Sequence, residues 1–161
     1  MRHLIKQRDI VVDSWRYADE DPVGRDRALI LPYARWKEEK ERWWLWDGKL
    51  GVRIGPTDPV ADLQQDFLRV SLIAIEFGGL PEGRGYSQAQ LLRKRYKFTG
   101  ELRAVGKIQR DQLFYMARCG FDAFEFPEGA NLEEAIKSLN DFSVAYQDAV
   151  DTNVHLDRRV I

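Results

Sequence analysis

The stretch from Leu72 to Phe126 reads LIAIEF (72–77), GGLPEGRGY (78–86), SQAQLLRKRYKFTG (87–100), ELRAVGKIQR (101–110), DQLFYMARCGFD (111–122) and AFEF (123–126). Three short β-type runs alternate with two segments of helical spacing, and this order decides the fold. Single helices between strands imply parallel βα units with right-handed crossovers. The same alternation extends backwards through Ala28–Leu31, Glu38–Leu45, Leu50–Ile54 and Val60–Phe67, and forwards into a helix over Leu132–Gln147. In that last helix Leu132, Ala135, Ile136, Leu139, Phe142 and Tyr146 recur at three- and four-residue spacing and form one apolar face. Leu4-Ile5 and Ile10-Val11-Val12, separated by the polar Gln7-Arg8-Asp9, read as an N-terminal β-hairpin. Asp19–Arg27, with Pro22 and Gly24 and no period, reads as a surface loop.

Alternate residues of a strand point to opposite faces, so the parity of each run can be read directly. One face collects Val52, Ile54, Ile73, Ile75, Phe77, Leu102, Ala104, Phe124 and Phe126, all apolar. The other collects Arg53, Ala74, Glu76, Arg103, Ala123 and Glu125, in which small residues separate charges of alternating sign. Strands covered by helices on both faces read as continuous apolar runs, because an unpaired buried charge costs several kcal/mol. The pattern therefore predicts a small or incomplete βα barrel with helices mainly on one face, the charged face lining a cavity or a partner contact. The charges also suit cross-strand ion pairs or strand ends facing water, which leaves a flavodoxin-like doubly wound sheet as the alternative.

A chain of 161 residues with 44% hydrophobic and 12% aromatic content has the size and core of one domain. We expect a single α/β domain over 1–161: hairpin and loop over 1–27, βα units over 28–147 and a C-terminal tail over 148–161. Lysine and arginine number 25 against 26 acidic residues, a net charge of −1, so no long-range field favours nucleic acid or an anionic membrane. With one cysteine, no charged and apolar leader and no run near the ~20 residues that cross a bilayer, the expected compartment is the cytoplasm.

Ligands of parallel βα folds sit at the carboxyl ends of the strands. The first of these loops, Gly78–Tyr86, places four glycines around Arg84 and lacks both GxGxxG and Walker spacing. With Lys107 and Arg110 of the next loop, Arg84 forms a candidate basic pocket for a phosphate, sulfite or carboxylate; it also has Glu82 and Asp111 as ion-pair candidates. Tyr86, Ser87, Arg103 and Gln112 complete the candidate ligand set, while Glu76 and Asp111 are the candidate proton-transfer groups. Ser87 with Gln90 three residues on has the form of a capping box, which predicts a helix over Gln88–Tyr96.

His3 and His155 lie near the ends and suit neither a triad nor a metal site. Cys119 falls late on the helix Asp111–Cys119, just before the expected C-cap Gly120, and reads as a core residue. Trp36, Trp43, Trp44 and Trp46 with Tyr33 read either as core or as an aromatic patch for a partner or a homodimer. No flavin, nicotinamide, iron–sulfur or haem signature is present, so no cofactor is indicated.

The motifs Gly83-Arg84-Gly85-Tyr86-Ser87, Leu91-Leu92-Arg93, Gly100–Gly106, Arg110-Asp111-Gln112-Leu113 and Arg118-Cys119-Gly120-Phe121-Asp122, with Phe142-Ser143 and Tyr146-Gln147, resemble a bacterial family called domain of unknown function 934. Its members are labelled oxidoreductases of sulfite reduction. The resemblance implies an accessory or oxidoreductase component of assimilatory sulfite reduction. The rival expectation is a non-catalytic module that docks on sulfite reductase or another sulfur-assimilation enzyme.

Overall fold

The computed structural model describes residues 1–18, 28–78 and 83–140. The expected Asp19–Arg27 loop, Glu82, the expected helix beyond residue 140 with its motif residues, and the expected 148–161 tail with His155 lie outside the described residues. The hairpin is β1 (His3–Lys6) and β2 (Asp9–Val12), and β3 (Arg16–Tyr17) and β4 (Ala28–Pro32) follow. Two helices, α1 (Tyr33–Glu38) and α2 (Lys40–Leu45), lead to β5 (Lys49–Ile54). A 3₁₀ segment, Val60–Asp66, leads to β6 (Val70–Phe77). Helix α3 (Arg84–Gln90) passes into a π-helical turn, Leu91–Arg95, before β7 (Glu101–Gly106). A 3₁₀ turn, Arg110–Gln112, opens α4 (Leu113–Cys119), which precedes β8 (Ala123–Phe124). Residues 132–140 are helical. Among the described residues no helix is long and apolar enough to cross a membrane.

The strands form one sheet in the order β2-β1-β8-β7-β6-β5-β4-β3. From β3 to β8 the neighbours are consecutive in sequence and all parallel. Crossovers of one hand between consecutive neighbours put every connection on the same face, so the doubly wound alternative does not describe this chain. Three residues, Asp13 to Trp15, link β2 at one edge to β3 at the other. An extended link of that length spans at most roughly 14 Å at ~3.3–3.6 Å per residue, whereas a flat sheet of this width, at ~4.8 Å per strand, places its edges roughly 34 Å apart. The sheet is therefore curled into an incomplete barrel, and the Asp13–Trp15 link is a strap across its opening. The Asp13 N–H donates to the Arg2 carbonyl at 2.8 Å, and the Arg2 guanidinium donates to the Trp15 carbonyl at 3.0 Å.

The outer, helix-covered face holds Val52, Ile54, Ile73, Ile75, Leu102, Ala104 and Phe124 against Ala89, Leu92, Leu113, Met116, Cys119, Ala135 and Leu139. Each buried large aliphatic or aromatic side chain contributes about 1.5–3 kcal/mol, so this layer is the main stabilising element. Tyr33, Trp36 and Trp43 belong to it, with Trp46 packed at its margin; Trp44 is half exposed. Cys119 is buried and Gly120 closes α4 at φ +117°, as the sequence predicts.

Helix starts differ from the sequence reading. A helix expected over Glu38–Leu45 begins at Tyr33, directly after Pro32, and breaks at Glu39. The helix expected from Gln88 begins at Arg84, so Ser87 sits inside its first turn and donates its N–H to the Gly83 carbonyl. Ser87 is not a cap. The early start follows from Gly85: a Cβ there would lie 2.6 Å from the Phe77 ring, so only glycine lets α3 settle onto the end of β6.

Candidate functional site

The inner face of the curled sheet is filled. Ile30, Leu72, Ala74, Val105 and Tyr17 form a small apolar cluster there, and beside it Arg103, 1% exposed, is ringed by acids. Its guanidinium donates to Asp13 at 2.9 and 3.1 Å, to Glu101 at 2.9 Å and to Glu125 at 3.2 Å. Arg2 pairs with Asp13 and Glu125, and Lys6 pairs with Glu101, so three cations meet three carboxylates. The Tyr17 hydroxyl donates to Glu125 at 2.7 Å. Burial pushes the Asp13 carboxyl up, but the hydrogen bonds and charge of Arg103 outweigh it and hold Asp13 below the usual range. Burial and the adjacent Glu125 raise the Tyr17 phenol. The charged face read from strand parity thus exists, and it is spent on internal ion pairs under the strap. Arg103 is committed to these carboxylates, and Glu76 stands at the rim, 4.0 Å from Arg53 and half exposed.

Among the described residues, two clefts open at the carboxyl edge. One, of about 650 Å³, lies between the chain start and the end of β8 and is lined by Arg2, Glu125, Phe126 and Gly129 among others. Its Arg2 and Glu125 are paired with each other at 3.4 Å, which leaves little charge for an anion. The other, of about 490 Å³, lies between the loop after β5 and the start of α3. Pro56, Pro59, Val60 and Leu91 give it apolar walls, and Asp58, Arg84, Ser87 and Gln88 bring polar groups. Its volume is within the ~300–1,000 Å³ of small-molecule sites. Arg84 and Ser87 are both exposed there, and among the described residues the Arg84 guanidinium has no hydrogen-bond or ion-pair partner.

This cleft brings together only Arg84 and Ser87 of the candidate set. Tyr86 packs at a tilt between the rings of Phe77 and Tyr115, at 5.3 and 4.9 Å between ring centroids; burial first, then the neighbouring Cys119, Tyr115 and Asp111, raises its phenol. Lys107 is exposed on the next loop. Arg110 pairs with Glu134 at 3.1 Å. Asp111 is exposed in the first turn of the 3₁₀ segment. Gln112 forms a capping box with Gln109, its Oε1 accepting from the Gln109 N–H at 3.0 Å. His3 is exposed, and among the described residues no group of His, Cys, Asp and Glu side chains is arranged to hold a metal ion.

Gln88 and Asp58 are the cleft residues that the sequence reading passes over. Gln88 is buried, and its Nε2 donates to the carbonyls of Gly55 at 2.9 Å and Asp58 at 3.3 Å. Asp58 in turn accepts from the Gly55 N–H at 2.7 Å and shapes the loop. A glutamine on the buried side of a glycine-rich helix start was the available signal, but its partners lie about thirty residues upstream.

No curated protein matches this chain. Residues 51–156, which take in most of β5, all of β6 to β8 and the loops between them, match the family described as a bacterial protein of unknown function, DUF934. With most of its length matched, the chain belongs to that family, in line with the motifs around Arg84 and Cys119.

Proposed function

We propose that this protein is an accessory component of assimilatory sulfite reduction that binds a small oxyanion in the cleft between the β5 loop and α3. Arg84 supplies the charge and Ser87 a hydroxyl donor. The observation that carries the reading is an exposed arginine, without a carboxylate partner among the described residues, at the mouth of a cleft of small-molecule size. Sulfur assimilation comes from the family resemblance. Glu76 and Asp111 lie outside the lining of this cleft, so the proposed site is one of binding and assigns them no proton transfer.

The test is growth on sulfate as sole sulfur source in a host whose own copy is replaced by Arg84→Ala, alongside titration of the purified variant with sulfite followed by NMR. Slow growth and at least a tenfold loss of sulfite affinity are expected. Normal growth together with unchanged titration removes the assignment.

One observation favours docking as a second reading. Trp44, Leu45 and Leu68 are 48%, 89% and 99% exposed. They sit on two segments that Arg69 ties together by donating to the carbonyls of Trp43, Trp46 and Gly48. An exposed apolar patch of this kind suits a protein partner such as sulfite reductase or another assimilation enzyme, or a second copy of the chain. Co-purification of that enzyme, lost on Trp44→Ala with Leu68→Ser, is the expected result. Trp43 is buried and is no probe of this surface.

A further inference from the structure

Arg84 is not the only charge in its cleft. Asp58 lines the same cleft, and its carboxylate is held in one position, Oδ2 accepting from the Gly55 N–H at 2.7 Å. The other oxygen, Oδ1, has no partner among the described residues and is open to solvent. No ion pair joins Arg84 to Asp58, and among the described residues neither side chain has another charged partner. Two opposite charges thus line one cavity of about 490 Å³ without neutralising each other, and both are left for a guest. The apolar Pro56, Pro59, Val60 and Leu91 supply the rest of its wall.

We infer that the cleft recognises small zwitterions, molecules that carry an ammonium group as well as the acid group. Arg84, with the Ser87 hydroxyl, takes a sulfonate or carboxylate, and Asp58 takes the ammonium. The short carbon skeleton between them lies against the prolines and Val60. The inference deepens the oxyanion-site reading and rests on it. Asp58 sets the preference, because it attracts the ammonium and repels a bare anion, so charge rather than size discriminates.

Isosteric pairs test it on the full chain by NMR titration at neutral pH. Taurine is compared with propane-1-sulfonate, and β-alanine with butanoate; in each pair a methyl group stands where the zwitterion has its ammonium. Tighter binding of the zwitterion by about fivefold, equal to about 1 kcal/mol, in either pair supports the inference, and the pair that shows it identifies the acid group as sulfonate or carboxylate. Asp58→Asn removes the charge and keeps an acceptor for the Gly55 N–H. It is expected to erase the preference by weakening the zwitterion and strengthening its methyl analogue. Equal weakening of both would mean that Asp58 only shapes the loop, and overturns the inference. The comparison between ligands is made on the wild-type protein, so it does not depend on the variant folding. If propane-1-sulfonate and butanoate bind at least as tightly as their partners, and Arg84→Ala weakens all four, the inference fails and the oxyanion site stands. If no ligand binds in a way that Arg84→Ala alters, the oxyanion site itself falls.

Discussion

Two residues of the hairpin turn, Gln7 and Arg8, have φ of 50° and 71°. A two-residue link between twisted antiparallel strands demands positive φ at both positions, which glycine and asparagine adopt with far less strain. Gln7→Asn with Arg8→Gly is expected to raise stability by about 1 kcal/mol, read as a melting temperature higher by about 2–4 °C. Gly106 is the opposite case. Its φ is +91°, and a Cβ would lie 2.4 Å from the Phe77 carbonyl, the group that accepts from the Lys107 N–H. Gly106→Ala is expected to lose at least about 1–3 kcal/mol, measurable by urea denaturation. At this scale the sequence was legible wherever a residue's role depends on strand parity: Arg53, Ala74, Arg103 and Ala123 do share one row of the inner face. It was illegible where the role depends on a distant carbonyl. Nothing near Gln88 announces that Gly55 and Asp58 will fix its amide.

The elements were legible in kind and order, and less so at their ends. Strand runs are bounded by charged and glycine residues that stop the period-two pattern, so β6 and β7 fall close to where the pattern places them. The helices are short, and tertiary contacts set their starts: Gly85 against Phe77, Tyr33 after Pro32. A capping-box pattern at Ser87 competed with that packing and lost. Gln109 and Gln112 form the real box one loop later. Arg69 shows what ties such short elements together, since its guanidinium holds the Trp43 carbonyl of α2 and the Trp46 and Gly48 carbonyls of the α2–β5 connection. Hydrogen bonds from a charged donor are worth about 1.5–3 kcal/mol each, and water replaces part of that loss at a partly buried site. Arg69→Ala is expected to lower stability by roughly 2 kcal/mol and to speed amide exchange in the connection before β5 by more than in β7. Equal acceleration throughout the sheet would mean that Arg69 stabilises the whole molecule and not this connection.

The whole molecule is held closed by charge, and that gives its stability a pH dependence of known sign. The curl was legible in the charged strand face, but the strap could not be read from Asp13-Ser14-Trp15, which has no period and meets Arg103 across ninety residues. Burial raises the Asp13 carboxyl, yet Arg103's hydrogen bonds and charge bring it below its ordinary value. A carboxylate lowered in the folded state adds stability that is complete above the unfolded value of ~3.9 and disappears as pH falls through the folded value. Asp122 has the reverse sign: burial, only partly offset by the Leu102 N–H and Arg93, raises its carboxyl, so it protonates first in the folded chain and adds stability on acidification. Denaturant midpoints should therefore hold or rise slightly as pH falls towards ~4 and drop steeply below it. Asp13→Asn leaves Arg103 short of one buried partner and is expected to lose about 3–5 kcal/mol at neutral pH, with a shallower acid decline than wild type. Asp122→Asn should keep the steep decline and lose the plateau that precedes it. An Asp13→Asn variant whose midpoint runs parallel to wild type through the acid range would show that the ion network under the strap does not govern closure.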